Sequence, residues 1–392
     1  MTVRSRITSG LLALFLAGPG PAAAQSLLGA GGLGVPVTAV DARARALGNN
    51  GIGLSGAYVL PTDPAAAADL RVPAITFTLQ QSWVDLESEV AEPTASGTRF
   101  PVIAVAYPVR DIGMATLSFG SVLDQRWDAQ LEQVVDLGGE NARVTDSFSS
   151  DGGVSAIRLG FAKRIAPSLA VGINAGRYLG DVRRVFTRRF DSLAVESSVP
   201  DYSVGGRWRF SAPTVTGGAQ VDVGSFLRVA GSVTWTGSLE ADPGEGTEGP
   251  ARTFDVPMEF RLGATGVLAP GLQLSTSLAY ADWSGTGDGE FEGGGGVTTL
   301  DFGAGLEWEN GSFLGRRAPL RLGFRRSEYP FRFDAEEATE SAWSAGLGLN
   351  LAESGPVALA RVDLGLERGD RSAGGLSEAF WRLSMSLQVA GF

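Results

Sequence analysis

Asp363 and Glu367 are carboxylates four residues apart in an alternating stretch, Arg361, Asp363, Gly365 and Glu367 against Val362, Leu364 and Leu366. Two carboxyl groups flanking a bond could act as acid and base in hydrolysis, yet nothing marks this pair above other acids at the same spacing. The loop at 287–293 places Asp288, Glu290 and Glu292 among glycines. Carboxylate oxygens suit calcium, but the spacing follows no calcium loop and reads as a solvated tip. Gly51, Gly53 and Gly56 spell G-x-G-x-x-G. A dinucleotide site needs a strand before that motif and a helix after it. Here it follows Arg43 to Asn50 and runs into Tyr58-Val59-Leu60-Pro61, so the glycines read as tight turns. The chain has no cysteine and no histidine. That excludes thiol catalysis, a Ser-His-Asp triad, a histidine base and His- or Cys-ligated zinc. No enzyme, metal or cofactor is expected.

The 32 basic and 43 acidic residues give a net charge of −11. Nucleic acid is a poor partner for such a chain, because binding it requires phosphate neutralisation. Lys163 is the one lysine, so the positive charge is almost wholly arginine. Guanidinium keeps its charge when desolvated and forks onto carboxylates, which suits ion pairs in a confined interior; a GC-rich genome would give the same bias.

The elements that must hold these side chains have a period of two from residue 73 onward. At 254–262, Phe254, Val256, Met258, Phe260 and Leu262 alternate with Asp255, Glu259 and Arg261. At 300–308, Leu300, Phe302, Leu306 and Trp308 alternate with Asp301 and Glu307. A soluble sandwich alternates too, but these strands are long, and their joints alternate in length. Short joints fall at 109–111, 166–168, 223–225, 269–271 and 353–355; long polar ones fall near 87–97, 124–152, 190–202, 241–251, 285–296, 329–339 and 369–377. Short turns on one side and long loops on the other mark an outer-membrane barrel.

The spacing predicts an all-β fold, a transmembrane antiparallel β-barrel of about fourteen strands, over 73–392. The strands are 73–86, 98–109, 112–123, 153–165, 168–189, 203–222, 226–240, 252–268, 271–284, 297–308, 318–328, 340–352, 356–368 and 378–392. The joint at 309–317 is long for a periplasmic turn, and 125–150 has room for a further hairpin in which Trp127 to Leu137 is strand-like. Trp83, Trp208, Trp235, Tyr280, Trp283, Trp308, Trp343 and Trp381 are candidates for interfacial girdles. The charged residues expected to face the lumen are Arg158, Arg228, Asp255, Glu259, Arg261, Asp301, Glu307, Arg321, Arg325, Arg361, Asp363, Glu367 and Arg382. Their mixed signs suit a ladder of ion pairs better than an ion-selective ring.

Residues 1–24 read as a cleaved export signal. Arg4 and Arg6 precede the apolar run 11–17, and Ala22-Ala23-Ala24 offers a small-residue cleavage site before Gln25. That run is too short to cross a bilayer as a helix, and no later apolar run is long enough to do so. The expected destination is the outer membrane, with its lipid and the barrel-assembly machinery as partners. Phe392 resembles the closing aromatic of such barrels, although it is out of phase with Trp381, Leu383, Met385, Leu387 and Val389.

The segment 41–68 resembles the amino-terminal signature of the FadL-like outer-membrane superfamily. The matching residues are Ala44, Arg45, Ala46-Leu47-Gly48 and Gly51-Ile52-Gly53. The family's Asn-Pro-Ala stands here as Asp63-Pro64-Ala65. Val256-Pro257, Phe260 to Gly263, Ala269 to Leu272, Asp282-Trp283-Ser284, Pro319 to Phe324 and Glu378 to Leu383 are similar to the late barrel of that group. The resemblance implies a fourteen-stranded barrel with residues 25–72 as a plug, in which Gly51, Gly53, Gly56, Asp63, Pro64 and Ala65 form the hatch. It also implies passage of hydrophobic small molecules, such as long-chain fatty acids, by a lateral or hatch-gated route. The alternative is a PorV-like or scaffold barrel that binds protein partners and moves no solute. An apolar pocket between plug and wall favours the first; a lumen packed with Arg–carboxylate pairs favours the second.

Overall fold

The computed structural model describes residues 26–87, 94–137, 140–190, 201–247, 249–286, 295–313, 316–333, 335–354 and 357–391. The expected export signal, the acidic loop at 287–293 and Phe392 lie outside these residues.

Among the described residues the chain forms a closed antiparallel barrel of 14 strands. The wall begins with β1 (Ala74–Glu87), then β2 in two segments (Thr94–Arg99 and Val102–Val109) and β3 (Gly113–Asp124), which continues past a bend as Trp127–Leu137. Next come β4 (Glu140–Ala166), β5 (Leu169–Phe190), β6 (Tyr202–Val223) and β7 (Leu227–Thr236, then Leu239–Pro243). β8 follows (Arg252–Phe254, then Glu259–Ala269), with β9 (Leu272–Asp282) and β10 (Thr298–Trp308). The last four are β11 (Leu320–Phe333), β12 (Glu336–Ser354), β13 (Val357–Ala373) and β14 (Leu376–Ala390). β1 pairs with β14 from Ala74↔Ala390 to Glu87↔Ser377, which closes the cylinder.

The pleat sorts side chains by face. Leu322 and Trp343 point outward at 63% and 71% exposure, while Arg321 and Glu367 point inward at 2% and 1%. An apolar exterior around a charged interior inverts the core of a water-soluble protein and suits a hydrocarbon solvent, where a closed ladder also satisfies the backbone.

Several expected loops are strand. The hairpin at 125–150 exists, pairing Trp127↔Ser150 through Leu137↔Glu140. The joints expected at 329–339 and 369–377 are hairpin ends, with Phe333↔Glu336 and Ala373↔Leu376 at their tips. Strands that project past the bilayer meet water on their outer side, so their outward positions lose the apolar alternation and read as loop. The joint at 309–317 holds a small hairpin of its own, Ser312–Phe313 with Arg316–Arg317.

The expected strand 252–268 is interrupted at 255–258. Pro257 has no N–H to give to a ladder, and the break changes the phase. Phe254 is buried inside, whereas Met258, Phe260 and Leu262 are exposed outside. Asp255, expected in the lumen, is exposed instead and accepts a hydrogen bond from Ser238 Oγ at 3.1 Å. Trp208 and Trp283, expected in the girdles, pack in an interior cluster with Leu33, Leu239 and Phe331. Trp83, Trp235, Tyr280, Trp308, Trp343 and Trp381 are exposed on the outside.

Candidate functional site

Residues 26–73 run along the inward face of the wall. A short helix, α1 (Ala42–Ala46), starts where the Asp41 side chain accepts the Ala44 N–H at 2.8 Å. Ser386 Oγ accepts the Ala42 N–H at 2.7 Å, and Ser344 Oγ donates to the Ala46 carbonyl at 3.0 Å. Glycine in the wall lets the two backbones meet. A Cβ on Gly305 would stand 2.6 Å from Leu47 Cα, so only glycine fits there.

Past the helix, Asp63 is buried and ties the glycine loop to the chain that follows. Its Oδ2 accepts the Gly53 N–H at 2.9 Å and the Tyr58 hydroxyl at 2.6 Å; the Tyr58 oxygen in turn accepts the Leu54 N–H at 3.0 Å. Burial raises the Asp63 carboxyl above its ordinary value, against the lowering effect of those donors, and raises the Tyr58 hydroxyl well above its own. Asp41 is also raised by burial. Pro64 and Ala65 lie against Gly172 of β5, and Pro64 also meets Gly218 of β6.

One arc of the lumen is filled by ion pairs. Arg321 donates to Glu307 and to Asp363, each at 2.8 Å, and Arg43 of α1 reaches Glu307 at 2.6 Å. Arg361 also pairs with Asp363 at 2.8 Å. Nearer the long loops, Glu340 accepts from Arg325 and Arg371, from Arg382 at 3.1 Å and from the Tyr329 hydroxyl at 2.6 Å. Arg325 and Arg45 share Glu367, at 2.7 Å and 3.8 Å. Arg371 and Arg382 both lie over the Phe380 ring, 4.6 Å and 4.2 Å from its centroid. Below, Arg228 joins Asp69 and Asp222, at 2.9 Å and 2.7 Å.

The opposite arc is open. A cavity of about 140 Å³ lies between the inner segment and the wall. Leu33, Val37, Leu239, Val256 and Trp283 give it apolar walls, and Arg158, Glu259, Arg261 and Asp301 add charge. Beyond it a wider vestibule of about 840 Å³ opens among β4, β5, β6 and the outer parts of β7 and β8, lined by Trp127, Phe148, Phe186, Trp208 and Phe254. Leu33 lines both. The cavity also touches Ser121, Val122 and Leu123 of β3, where the wall has a seam. Phe100-Pro101 splits β2, whose segment Thr94–Arg99 pairs with β1 alone. At that height β3 pairs on this side with the two-residue strand Val35–Pro36, as Val35↔Asp124 and Pro36↔Leu123. Side chains span the gap: Arg126 donates to the Thr98 carbonyl at 3.0 Å, and Arg99 lies 3.6 Å from Asp124.

Solved structures with this architecture cover nearly the whole chain. The Ralstonia pickettii toluene transporter TbuX aligns over 90% of this chain and 98% of its own at 12% identity, with a TM-score of 0.57. A Pseudomonas aeruginosa FadL homologue aligns over 92% and 100% at 11% identity, with a TM-score of 0.58. The chain has the FadL-like barrel fold. The Pseudomonas putida toluene transporter TodX has the same FadL-like arrangement, over 91% and 99% at 12% identity and a TM-score of 0.53. A family model described as BamG matches residues 13–200, the amino-terminal part of the chain. No curated protein matches.

Within the FadL-like frame the residues singled out in the sequence separate into three places. Gly51, Gly53, Gly56, Asp63, Pro64 and Ala65 belong to the inner segment. Glu307, Arg321, Arg325, Arg361, Asp363, Glu367 and Arg382 join the ion-pair arc. Arg158, Glu259, Arg261 and Asp301 border the cavity, while Asp255 belongs to none. Sequence reasoning missed Glu340, Arg371 and Glu378, the last of which accepts from Arg371 at 3.0 Å and from the Ser26 hydroxyl at 2.7 Å. Arg371 fell in an expected loop, although counting back in twos from Arg382 gives Phe380 and Glu378 on its inward face. Arg43 and Arg45 carried no lumen signal because their partners lie more than 260 residues away.

Proposed function

We infer that the chain is an outer-membrane channel for compact hydrophobic molecules, exported by residues 1–24 and plugged by residues 25–72. The observation that carries this reading is the partly apolar cavity between inner segment and wall. Its volume of about 140 Å³ is close to that of engineered apolar cavities of about 150 Å³ that take up benzene. One aromatic ring fits such a space; a long alkyl chain does not. The aromatic vestibule would collect ligand, Leu33 would separate vestibule from cavity, and the seam beside Ser121 to Leu123 would release it sideways into the membrane. That two of the aligned proteins are toluene transporters supports the same size class. The absence of histidine and cysteine and the lack of any distinguished carboxylate pair support a channel over an enzyme.

The deciding measurement is initial uptake of radiolabelled toluene and of a fluorescent long-chain fatty acid by Gram-negative cells with and without the chain in their outer membrane. Toluene uptake several-fold above the control, with little change for the fatty acid, is expected. Equal rates with and without the chain for both probes would sink the reading.

The second reading, a scaffold that works beside the barrel-assembly machinery, draws on the BamG match over 13–200 and on the ion pairs that fill one arc of the lumen. Stoichiometric co-purification with that machinery, together with unchanged toluene uptake, would favour it.

A further inference from the structure

We propose that the inner cavity selects compact aromatic molecules bearing a single carboxylate, and that Arg158 receives that group; this rests on the cavity being a ligand site, as inferred above. Arg158 lies on β4, 7% exposed, on the cavity wall. Many charged groups of the lumen are matched: Arg321 holds Glu307 and Asp363, Arg325 holds Glu340 and Glu367, and Arg261 holds Glu259 at 2.6 Å. Arg158 has no ion pair among the described residues, and its Nε and Nη1 are buried without a hydrogen-bond partner. Its guanidinium stacks over the Tyr178 ring, 5.6 Å from the centroid.

A cation taken out of water without a counter-charge is costly to the fold. A planar guanidinium can take both oxygens of a carboxylate through two of its nitrogens, here once the wall side chains shift to uncover the buried Nε or Nη1. Its neighbours on the cavity wall, Tyr178, Thr216, Thr234 and Thr236, carry hydroxyls suited to an oxygen ligand. The ligand ring then rests against Val256, Leu239 and Trp283. Further round the wall, on β8, β10 and β11, stand Glu259, Asp301 and Glu328. Glu259 is taken up by Arg261, and Asp301 accepts the Glu328 N–H at 3.2 Å. With Glu259 neutralised by Arg261, Asp301 and Glu328 are left to disfavour a second negative charge on the far side of the ring. One carboxylate is therefore favoured over none and over two, and the cavity volume excludes long chains.

The test is calorimetric titration of the full detergent-solubilised protein with 4-methylbenzoate, toluene and terephthalate. The monocarboxylate is expected to bind at least tenfold more tightly than either of the others. Arg158→Leu should weaken 4-methylbenzoate by about ten- to a hundredfold, the range for a hydrogen bond to a charged group, and abolish its preference over toluene; Arg158→Lys should recover part of the loss. Heat-modifiable migration in gels reports whether each variant keeps its barrel, and the ligand series on the unaltered protein stands without any variant. Toluene binding as tightly as 4-methylbenzoate, or a folded Arg158→Leu protein with unchanged affinity for the acid, overturns the assignment while leaving the channel intact. Failure of all three ligands to bind removes the cavity as a site and the channel reading with it.

Discussion

At the scale of single residues, the interior is governed by which charges are shared. Glu340 accepts from three guanidiniums and one phenol, so its loss strands several cations at once. Breaking a buried pair by removing one partner costs about 3–5 kcal/mol. Glu340→Gln should therefore lower stability by about that amount, read from urea unfolding in lipid vesicles; a change below about 1 kcal/mol would mean that the cluster is hydrated and weakly coupled. Asp63 behaves differently, because burial favours its neutral form. A carboxyl raised in the folded state adds stability that is complete below its ordinary value of 3.8 and fades as pH climbs through the raised one. Protease cleavage within 50–65 should accelerate as pH rises from about 4, the unperturbed Asp value. Asp63→Asn should flatten that rise, and a variant that tracks the wild type at every pH would rule the carboxyl out. Burial also raises Asp41, so a residual slope of the same sign is expected.

At the scale of elements, the inner segment is seated by backbone contact. Gly48 packs against Gly303 and Gly323 of β10 and β11, Leu47 against Gly305, and Ala46 against Gly346 and Gly365. A β-branched side chain at Gly305 must displace Leu47. Gly305→Val should leave the strands paired, raise the protease sensitivity of 26–73, and enlarge conductance in planar bilayers; conductance identical to wild type would show that the segment stays in place. The strands themselves were readable from sequence because alternation is local to each one. Where that reading failed, at 255–258, 329–339 and 369–377, either a proline broke the register or the strand left the bilayer. In those places facing no longer follows from hydropathy.

At the scale of the whole molecule, a packed ion-pair arc and an open apolar arc share one cylinder, with the inner segment between them. Under the proposed channel function, passage along the open side would require movement of Val35–Pro36, which pairs with β3 at the seam. The chain has no cysteine of its own, so an engineered pair at Pro36 and Leu123 reports on that movement alone. These residues face each other in antiparallel register, where Cα separations of about 4.5–5.5 Å suit a disulfide. Oxidised Pro36→Cys/Leu123→Cys protein should lose at least nine-tenths of its toluene uptake and regain it on reduction. Full uptake in the oxidised form would put the exit elsewhere. The sequence by itself determined the barrel, its strand number, its inverted polarity and the exclusion of histidine- and cysteine-based chemistry, since the two-residue pleat and composition are properties of the chain alone. Only the tertiary structure decided which charges find partners. Arg325 meets Glu367 across 42 positions and Arg43 meets Glu307 across 264, while Arg158 meets no carboxylate among the described residues. Cross-barrel register and the path of the inner segment set those distances, and neither is written in local spacing.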